Sequence, residues 1–148
     1  MAFRGQHEHS LDAKDRLTIP ARFRAALDEG VVLFEELDDC VSIYPVADYA
    51  ELTRNYLGTL NPLTKRGRMM RRRFHARSHD EKLDSAGRVR IPGHLIEHAD
   101  LEGTCMIVGV DDHLEVWNPT AWSEHDAEID AQADELAEAL GGSGEGDG

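Results

Sequence analysis

The sequence predicts an α+β fold in which two copies of one unit pair into a closed, pseudo-twofold β-barrel with helices at its periphery. Three observations lead to this prediction. The phrase "DAKDRLTIP" at residues 12–20 returns as "DSAGRVRIP" at residues 84–92. The similarity then continues through roughly forty residues of each half. A single unit of that length is too small to bury its own apolar face and would leave strand edges open, so we expect the copies to pair.

The two copies keep one register for most of their length. At an offset of 72 residues the identical pairs are Leu11 and Leu83, Asp12 and Asp84, Arg16 and Arg88, Ile19 and Ile91, and Pro20 and Pro92. One inserted residue changes the offset to 73, and Gly30 then matches Gly103 while Tyr49 matches Trp122. Chance is a poor explanation for so long a match, so we expect two equivalent folding units.

Each copy consists of a turn, a strand, a short helix and a hairpin. The turns at 12–15 and 84–87 lead into strands that alternate polar and apolar residues, which places the apolar members on one face. Pro20 or Pro92 suits the first turn of the helix that follows, and a glycine can end it. The hairpin strands, joined in each copy by an Asp-Asp turn, are 31–35 with 41–44 and 104–108 with 114–117.

Two further segments are predicted to be helical. Residues 48–60 carry apolar side chains at helical intervals, and Asn61 with Pro62 is expected to start a basic helix that ends near Phe74. Ser123 with Asp126 resembles a capping box for an acidic helix, and the last eight residues, "GGSGEGDG", are expected to be disordered. The predicted organisation is repeat one at 6–48, a helical basic connector at 49–77, repeat two at 78–121, and an acidic helix with a disordered tail at 122–148.

The net charge of −13 at first argues against nucleic acid, because cations lead phosphate binding and a negative field opposes it. The charge is unevenly distributed, however. Nine of the 29 acidic residues lie between Ser123 and the C-terminus, where there is no lysine or arginine. Between Arg54 and His79 there are eight lysines and arginines and no acidic residue. The local charge therefore leaves nucleic-acid binding open.

Other features of the composition point to a cytoplasmic protein. No apolar run approaches the ~20 residues of a membrane helix, and the first residues lack the apolar stretch of a secretory signal. Cys40 and Cys105 lie far apart, without the paired spacing of a disulfide framework or a zinc ribbon. There is no glycine-rich phosphate loop and no nucleophile elbow. We therefore expect no cofactor, no metal, no membrane contact and no small-molecule substrate.

The repeated Asp-x-x-x-Arg pattern is the main candidate site. Asp12 and Asp84 are expected to hold the turns through a local ion pair or an Asx-turn. Arg16 and Arg88 follow on the polar faces of the two strands, where paired guanidiniums on a twofold scaffold suit a DNA duplex, since each can bridge phosphate or a guanine edge bidentately. The same strand faces carry two further polar residues, Thr18 and Arg90.

Two other patterns compete with this site. The stretch "KRGRMMRRRF" at 65–74 has an apolar side, so it could pack or mediate assembly, with a phosphate-positioning role left open. "HLIEH" at 94–98 matches the H-x-x-E-H pattern of some zinc proteases. The corresponding segment of the first copy, 22–26, contains no histidine, and an enzyme would need a third ligand and a cleft. Surface histidines are therefore the favoured interpretation.

The two halves resemble the MraZ family. Residues 1–27, "MAFRGQHEHSLDAKDRLTIPARFRAAL", resemble the start of these proteins, and residues 83–122, "LDSAGRVRIPGHLIEHADLEGTCMIVGVDDHLEVWNPTAW", resemble their second half. The resemblance implies the SpoVT/AbrB superfamily and a tandem swapped-hairpin AbrB-like β-barrel. It also implies a transcriptional regulator that forms rings and binds direct repeats upstream of the division and cell-wall gene cluster that contains its own gene.

The resemblance also implies which residues contact DNA. The family motif, usually Asp-x-Lys-Gly-Arg, corresponds to Asp12, Lys14 and Arg16 in the first half and to Asp84 and Arg88 in the second. We expect the arginines to be the main contacts, with Lys14 and Arg90 as helpers. The residues expected to shape the turns are Asp12, Asp15, Asp84 and Gly87. Two positions depart from the motif, since Asp15 replaces the usual glycine and Ala86 a frequent lysine.

The function predicted from the sequence is therefore a non-enzymatic, sequence-specific DNA-binding regulator in the cytoplasm and on the nucleoid, acting on its own operon as a ring-shaped homo-oligomer. The alternative is a ring-forming structural or protein-interaction module without specific DNA binding. A metal-dependent hydrolase rests only on the histidine pattern.

Overall fold

A computed structural model describes residues 2–145 of the 148-residue chain. The strands are β1 (Gln6–Ser10), β2 (Arg16–Thr18), β3 (Val31–Glu35), β4 (Val41–Pro45), β5 (Ser78–Glu81), β6 (Arg88–Arg90), β7 (Thr104–Gly109) and β8 (Leu114–Trp117). The α-helices are α1 (Ala21–Arg24), α2 (Val46–Leu52), α3 (Lys65–His75), α4 (Gly93–Ala99) and α5 (Pro119–Glu145). A 3-10 turn (Ala25–Leu27) extends α1, and a π turn (Thr53–Leu57) follows α2.

The chain divides into two units, one that ends at Asn118 and one that begins at Pro119 and contains α5. The first unit carries both repeats, and its strands together with its helices confirm the predicted α+β class. Within the described residues, no helix is both long enough and apolar enough to cross a membrane.

The two copies exchange their first strands. Six strands form one antiparallel sheet in the order β1-β7-β8-β4-β3-β5, and β2 pairs with β6 in a separate ribbon. The first strand of each copy therefore lies against the hairpin of the other copy, β1 on β7 and β5 on β3. The two hairpins meet at β4 and β8. Every pairing thus maps onto itself or onto its counterpart when the copies are interchanged, which is the pattern of a pseudo-twofold axis.

The predicted closed barrel is not formed by hydrogen bonds. In the part of the chain that the structure describes, β1 and β5 are opposite edges of an open sheet, and no strand pairing joins them. The reason is that β2 and β6 pair with each other, so they form a second layer instead of closing the sheet. A single isolated bridge, Leu11 to Leu17, links the end of β1 to the ribbon.

One apolar core lies between the sheet and the ribbon. Four apolar residues point inward from the ribbon strands and from the positions just after them. They are Leu17, Ile19, Val89 and Ile91, each at most 1% exposed, and they belong to the same cluster as the sheet residues. Each such side chain contributes about 1.5–3 kcal/mol through burial. The rest of the core from the short helices is Phe23, Leu27, Leu95 and Ala99. Period-two alternation in the ribbon therefore fixes which residues face outward.

Some predicted element boundaries are wrong. The basic helix α3 begins at Lys65, and its cap is Thr64, whose hydroxyl oxygen accepts the Gly67 N–H at 3.0 Å. The Asn61 side chain instead accepts the Leu63 N–H at 2.9 Å and shapes the turn before the helix. Helix α5 begins earlier than predicted, at Pro119, a residue suited to the first helical position.

Two further differences concern the polar parts of the chain. The strands β1 and β5 were not predicted, because "QHEHS" and "SHDE" lack the apolar alternation that marks a strand. At the C-terminus, α5 includes the first five residues of the segment that we expected to be disordered. The last three residues of that segment lie outside the described part of the chain.

Gly109 provides a test of the exchanged β1 edge. The N–H of Gly109 donates to the Gly5 carbonyl at 2.9 Å, and a Cβ at this position would collide with the backbone of Phe3 and Arg4. We expect Gly109→Ala to lower the free energy of unfolding by about 1–3 kcal/mol, because the approaching segment must shift. Urea denaturation followed by circular dichroism measures the change.

Gly93→Ala is the matched control. Nothing lies within 4 Å of a Cβ at Gly93, the first residue of α4. This substitution is expected to be neutral or to stabilise by up to about 1 kcal/mol, since alanine is a better helix former than glycine. Equal unfolding free energies for the two variants would contradict the close approach at Gly109.

Candidate nucleic-acid interface

The β2–β6 ribbon places three arginines on one face. The register pairs Arg16 with Arg90 and Thr18 with Arg88, while Leu17 and its partner point into the core. Side chains alternate across a strand, so these four outward residues share the surface opposite the core. The outer face of the ribbon is therefore polar and carries three guanidinium groups.

The first turn is organised around the carboxylate of Asp12. One carboxylate oxygen, Oδ1, accepts the backbone N–H of Lys14 at 2.8 Å and that of Arg16 at 3.0 Å. The other oxygen, Oδ2, accepts Nε–H of Arg16 at 2.7 Å. The carboxylate therefore does two things, since it closes an Asx-type turn and it fixes the direction of the guanidinium.

The second turn repeats this geometry. Asp84 Oδ1 accepts the N–H groups of Ala86 and Arg88, both at 2.9 Å, and Oδ2 accepts Arg88 Nε–H at 2.9 Å. Arg88 also extends to the first turn, where its Nη1 lies 3.9 Å from Asp12 Oδ2. Asp12 thus lies next to both motif arginines. These two side chains are only about one-third exposed, so the aspartates limit their freedom as well as their direction.

Hydrogen bonds lower the pKa of both aspartates from the usual Asp value. For Asp12 the largest cause is the N–H of Arg16; burial acts in the opposite direction, and the guanidinium adds to the lowering. For Asp84 the N–H of Arg88 is likewise the largest cause, with burial opposing it. A lowered pKa favours the carboxylate. The two carboxylates are therefore fully charged at neutral pH. The stability that they contribute to the folded protein is lost only as the pH falls below the ordinary Asp range.

The third loop residue of each turn, the one directly before the motif arginine, has a left-handed backbone. Gly87 has φ 76°, and Asp15, its counterpart, has φ 59°. The carbonyl of Asp15 accepts the Ile91 N–H, and the carbonyl of Gly87 accepts the Ile19 N–H, both at 2.9 Å. Aspartate is one of the few side chains that enters this region with modest strain. The departure from glycine at position 15 therefore preserves the turn and adds a negative charge beside Arg16.

The two turns differ in their remaining positive charge. Lys14 is exposed and lines a shallow surface depression with Asp15, Arg16 and Arg90. The corresponding residue in the second turn, Ala86, is uncharged. The antiparallel register places Arg90 of β6 beside Arg16 of β2. Lys14, Arg16 and Arg90 therefore bring three positive charges together at the first turn.

Sequence reasoning missed the role of Arg24. Its Nε–H donates to the Ile19 carbonyl at 2.9 Å, and its guanidinium lies so close to Gly87 that a Cβ there would collide with it. Arg24 therefore supports the second turn from beneath. The repeat gave no signal for it, because the residue at the same offset in the second copy is Ile96.

The basic segment 65–74 lies on α3, which is only partly packed. Arg73 donates to the main-chain carbonyls of Glu35 and Glu36 at 2.9 and 3.1 Å, and the rings of Phe74 and Phe34 are 6.0 Å apart. These contacts fix one side of the helix on β3. The side that remains exposed carries Lys65, Arg66, Arg68, Met69, Met70, Arg71 and Arg72.

The histidine pattern on α4 serves packing. The Nδ1 atom of His98 lies 3.0 Å from Glu35 Oε1, and its Nε2 lies 2.9 Å from the Asp38 carbonyl oxygen. His94 is 3.9 Å from the same carboxylate through Nδ1, and its Nε2 faces His79. Both ring nitrogens of His98 are thus engaged in holding α4 to β3 and to the loop after it, which does not match an open two-histidine metal site.

Comparison with known proteins identifies relatives along most of the chain. Residues 2–72 and 75–141 match a family described as "MraZ protein, putative antitoxin-like". A Transcriptional regulator MraZ of Lactiplantibacillus plantarum is 42% identical over 139 residues, which cover 93% of this chain and 97% of that protein. The protein of the same name from Caldanaerobacter subterraneus is 39% identical over 137 residues, which cover 92% of this chain and 94% of the relative.

A third relative, also named Transcriptional regulator MraZ, comes from Roseiflexus castenholzii. It is 38% identical over 138 residues, which cover 93% of this chain and 96% of that protein. The matches include both copies of the Asp-x-x-x-Arg turn, since the matched family segments span each of them. The chain belongs to the MraZ family.

Proposed function

We propose that this protein is a non-enzymatic transcriptional regulator that binds double-stranded DNA sequence-specifically through the outer face of the β2–β6 ribbon. The observation that carries the proposal is the pair of equivalent turns in which Asp12 orients Arg16 and Asp84 orients Arg88. The name shared by the relatives, Transcriptional regulator MraZ, supports the same function.

The ribbon has the shape and chemistry that this role requires. The major groove of B-DNA is about 12 Å wide and admits a two-stranded β-ribbon, and an arginine can bind the guanine edge bidentately. Arg16 and Arg88 would read base edges, while Lys14 and Arg90 would hold phosphates and set the register. Because each guanidinium is already aimed by an aspartate, less side-chain freedom is lost on binding.

The acidity of the chain does not oppose this proposal. Helix α5 carries eight acidic residues and no lysine or arginine, so a large share of the negative charge lies in that unit. The ribbon face has its own cations. Phosphate attraction acts over about 8–10 Å at physiological ionic strength, so the charges nearest to the duplex decide the outcome.

The finer assignment follows the family resemblance. We propose that the targets are direct repeats upstream of the division and cell-wall gene cluster, including the chain's own operon, and that the protein acts on the nucleoid as a ring-shaped homo-oligomer. One pair of turns offers few contacts. A ring would engage repeats spaced about one helical turn apart, and each bound pair of turns would raise the effective concentration of the next.

The finer description of the fold is proposed on the same basis. The exchange of β1 and β5 between the copies is compatible with the swapped-hairpin arrangement of the superfamily. We retain the division into repeats at 6–48 and 78–121, a basic connector at 49–77, and an acidic segment at 122–148.

A second candidate function is suggested by the exposed side of α3. Met69 is 56% exposed and Met70 is 40% exposed, and both lie among arginines. Helix α5 has the opposite charge, and its Leu136 and Leu140 are also exposed. A ring-forming interaction module would use α3 of one copy against α5 of another, without a need for DNA.

The first prediction from this proposal concerns the arginines. Arg16→Ala and Arg88→Ala should each weaken binding to the DNA upstream of the chain's own gene by roughly 1–3 kcal/mol, because each removes a bidentate contact. A mobility-shift series in increasing salt gives the affinity and its salt dependence. Because these arginines are assigned to base edges, the affinity for upstream DNA should fall more than that for scrambled DNA, whereas Lys14→Ala, which removes a phosphate contact, should lower the slope of log affinity against log salt by about 1.

Arg54→Ala is the control, because it removes the same charge from an exposed position in the π turn after α2. It should leave the affinity nearly unchanged. Equal binding of the native protein to upstream and scrambled DNA would overturn the proposed sequence specificity.

The second prediction separates orientation from charge. Asp12→Asn keeps the Oδ1 acceptor of the turn but loses the oxygen that holds Arg16, so the preference for upstream over scrambled DNA should fall. Asp15→Asn removes the same charge from the same loop without touching that bond, and asparagine tolerates the left-handed backbone. It should strengthen binding to both DNAs and keep their ratio. The same ratio in both variants would exclude an orienting role for Asp12.

The third prediction tests the exposed side of α3. Replacing Met69 and Met70 by serine should lower the molar mass measured by light scattering, because an apolar contact between copies is removed. Leu37→Ser is the control, since Leu37 is 66% exposed and lies in the loop after β3. A mass unchanged by the double substitution would mean that this side of α3 is not the assembly surface.

A further inference from the structure

A compact polar cluster lies beside the short pairing of β4 with β8, through which the two hairpins meet. Glu36 follows β3 of the first copy, and His113 and Glu115 belong to the turn and strand β8 of the second. One ligand atom from each side chain can be chosen so that all three lie within 4.8 Å of one another. The cluster is separate from the arginine turns, and neither the DNA-binding proposal nor the assembly proposal uses it.

We propose that Glu36, His113 and Glu115 form a binding site for one divalent transition-metal cation of the zinc type. An imidazole with two carboxylates is a donor set that suits such ions, whereas magnesium and calcium prefer sites made of oxygen alone. The ion would join the first hairpin to the second across the pseudo-twofold axis.

The buried histidine is oriented as a metal ligand would be. His113 is 7% exposed, and its Nδ1 lies 2.7 Å from Asp112 Oδ1. Its ring stacks on Tyr44 with the centroids 4.3 Å apart and the planes 4° from parallel. A carboxylate on one ring nitrogen and a stacked aromatic ring together fix the imidazole, so that Nε2 points at the carboxylates. Metal-binding histidines commonly have such an outer carboxylate partner.

The two carboxylates are also held from outside the cluster. Glu115 Oε1 accepts Nε1–H of Trp117 at 3.0 Å. Glu36 Oε2 accepts the Ser42 hydroxyl at 2.5 Å, and its Oε1 accepts the Leu37 N–H at 3.0 Å. These bonds orient both groups before any ion binds, which reduces the ordering that binding requires.

The spacing inside the cluster suits a small ion. The Nε2 atom of His113 is 3.3 Å from Glu115 Oε2. Ligand atoms about 2.0–2.2 Å from a tetrahedral zinc ion lie about 3.3–3.5 Å from each other. The imidazole and one carboxylate are thus already at ligand separation, and the ligand atom of Glu36 lies within 4.8 Å of both.

The charge of the cluster also favours a cation. With Asp112 included, three carboxylates surround one imidazole, so even a protonated His113 leaves an excess of negative charge. Arg73 of α3 donates to the main-chain carbonyls of Glu35 and Glu36. A divalent ion would balance charges that are otherwise costly to bring together at a partly buried site.

The internal repeat shows that the cluster is not a requirement of the fold. His113 corresponds to Cys40 and Glu115 to Ser42 at the offset of 73 residues, and the strand pairing makes Val110 the counterpart of Glu36. None of these counterparts is a carboxylate or an imidazole, so the repeat unit folds without such a set. Because Ser42 pairs with Glu115, the cluster lies at the pseudo-twofold axis itself.

Titration of the full, chelator-treated chain with zinc by calorimetry tests the proposal. We expect one tight site per chain, a higher melting temperature with zinc, and binding of magnesium at least about tenfold weaker. His113→Gln and Glu36→Gln should each weaken zinc binding at least about tenfold, because each removes a ligand.

His94→Gln is the matched control, because His94 belongs to another histidine group of the chain. In that group His94 and His98 lie near Glu35, and His79 lies against His94. The His94→Gln variant should keep the tight site. If His113→Gln does not fold, Glu36→Gln decides, since the glutamine oxygen can still accept the Leu37 N–H and its amide N–H can donate to the Ser42 hydroxyl oxygen. The proposal is overturned if the native chain has no tight site, if Glu36→Gln binds zinc as the native chain does, or if His94→Gln abolishes the site.

Discussion

The reciprocal hydrogen bonds between the two turns are the constraint on which the rest of the structure depends. Ile91 donates its N–H to the carbonyl of Asp15, and Ile19 donates to the carbonyl of Gly87, both at 2.9 Å. Each turn is thus held by the strand end of the other copy. The bonds set the β2–β6 register, and the register decides that the apolar residues enter one core while the arginines share one outer face. The site is therefore a consequence of how the copies pair.

This constraint explains why the third loop residue is conformationally special. A carbonyl that must point at the other copy is presented by a left-handed residue, and positions 15 and 87 both adopt that conformation. Glycine does so without strain, while aspartate does so at a modest cost and adds charge. The position of the carbonyl is thus the same in both turns, but the electrostatic field around Arg16 differs from that around Arg88.

The sequence predicted those parts of the fold that repeat or alternate. The identical Asp-x-x-x-Arg turns and the period-two pattern of Leu17 and Ile19 sufficed to place the ribbon residues on its two faces. The strands β1 and β5 could not be predicted, since their polar sequences become strands only through pairing with the other copy's hairpin. Sheet closure was wrongly predicted for a related reason, because local patterns do not say which edges meet. The Arg24 contact with Gly87 joins residues distant in sequence and lacks a counterpart in the repeat.

The two halves share a backbone but have diverged in chemistry, and this division follows from the kind of interaction each residue makes. Main-chain bonds and buried apolar contacts obey the pseudo-twofold relation, because breaking it would cost both copies their common core. Exposed or turn side chains are free of that restriction. Lys14 of the first copy corresponds to Ala86 of the second, and Cys40 of the first copy corresponds to His113 of the second. Symmetry in this molecule is therefore a property of its packing, and the places where the side chains break it are the places where each half can acquire a function of its own.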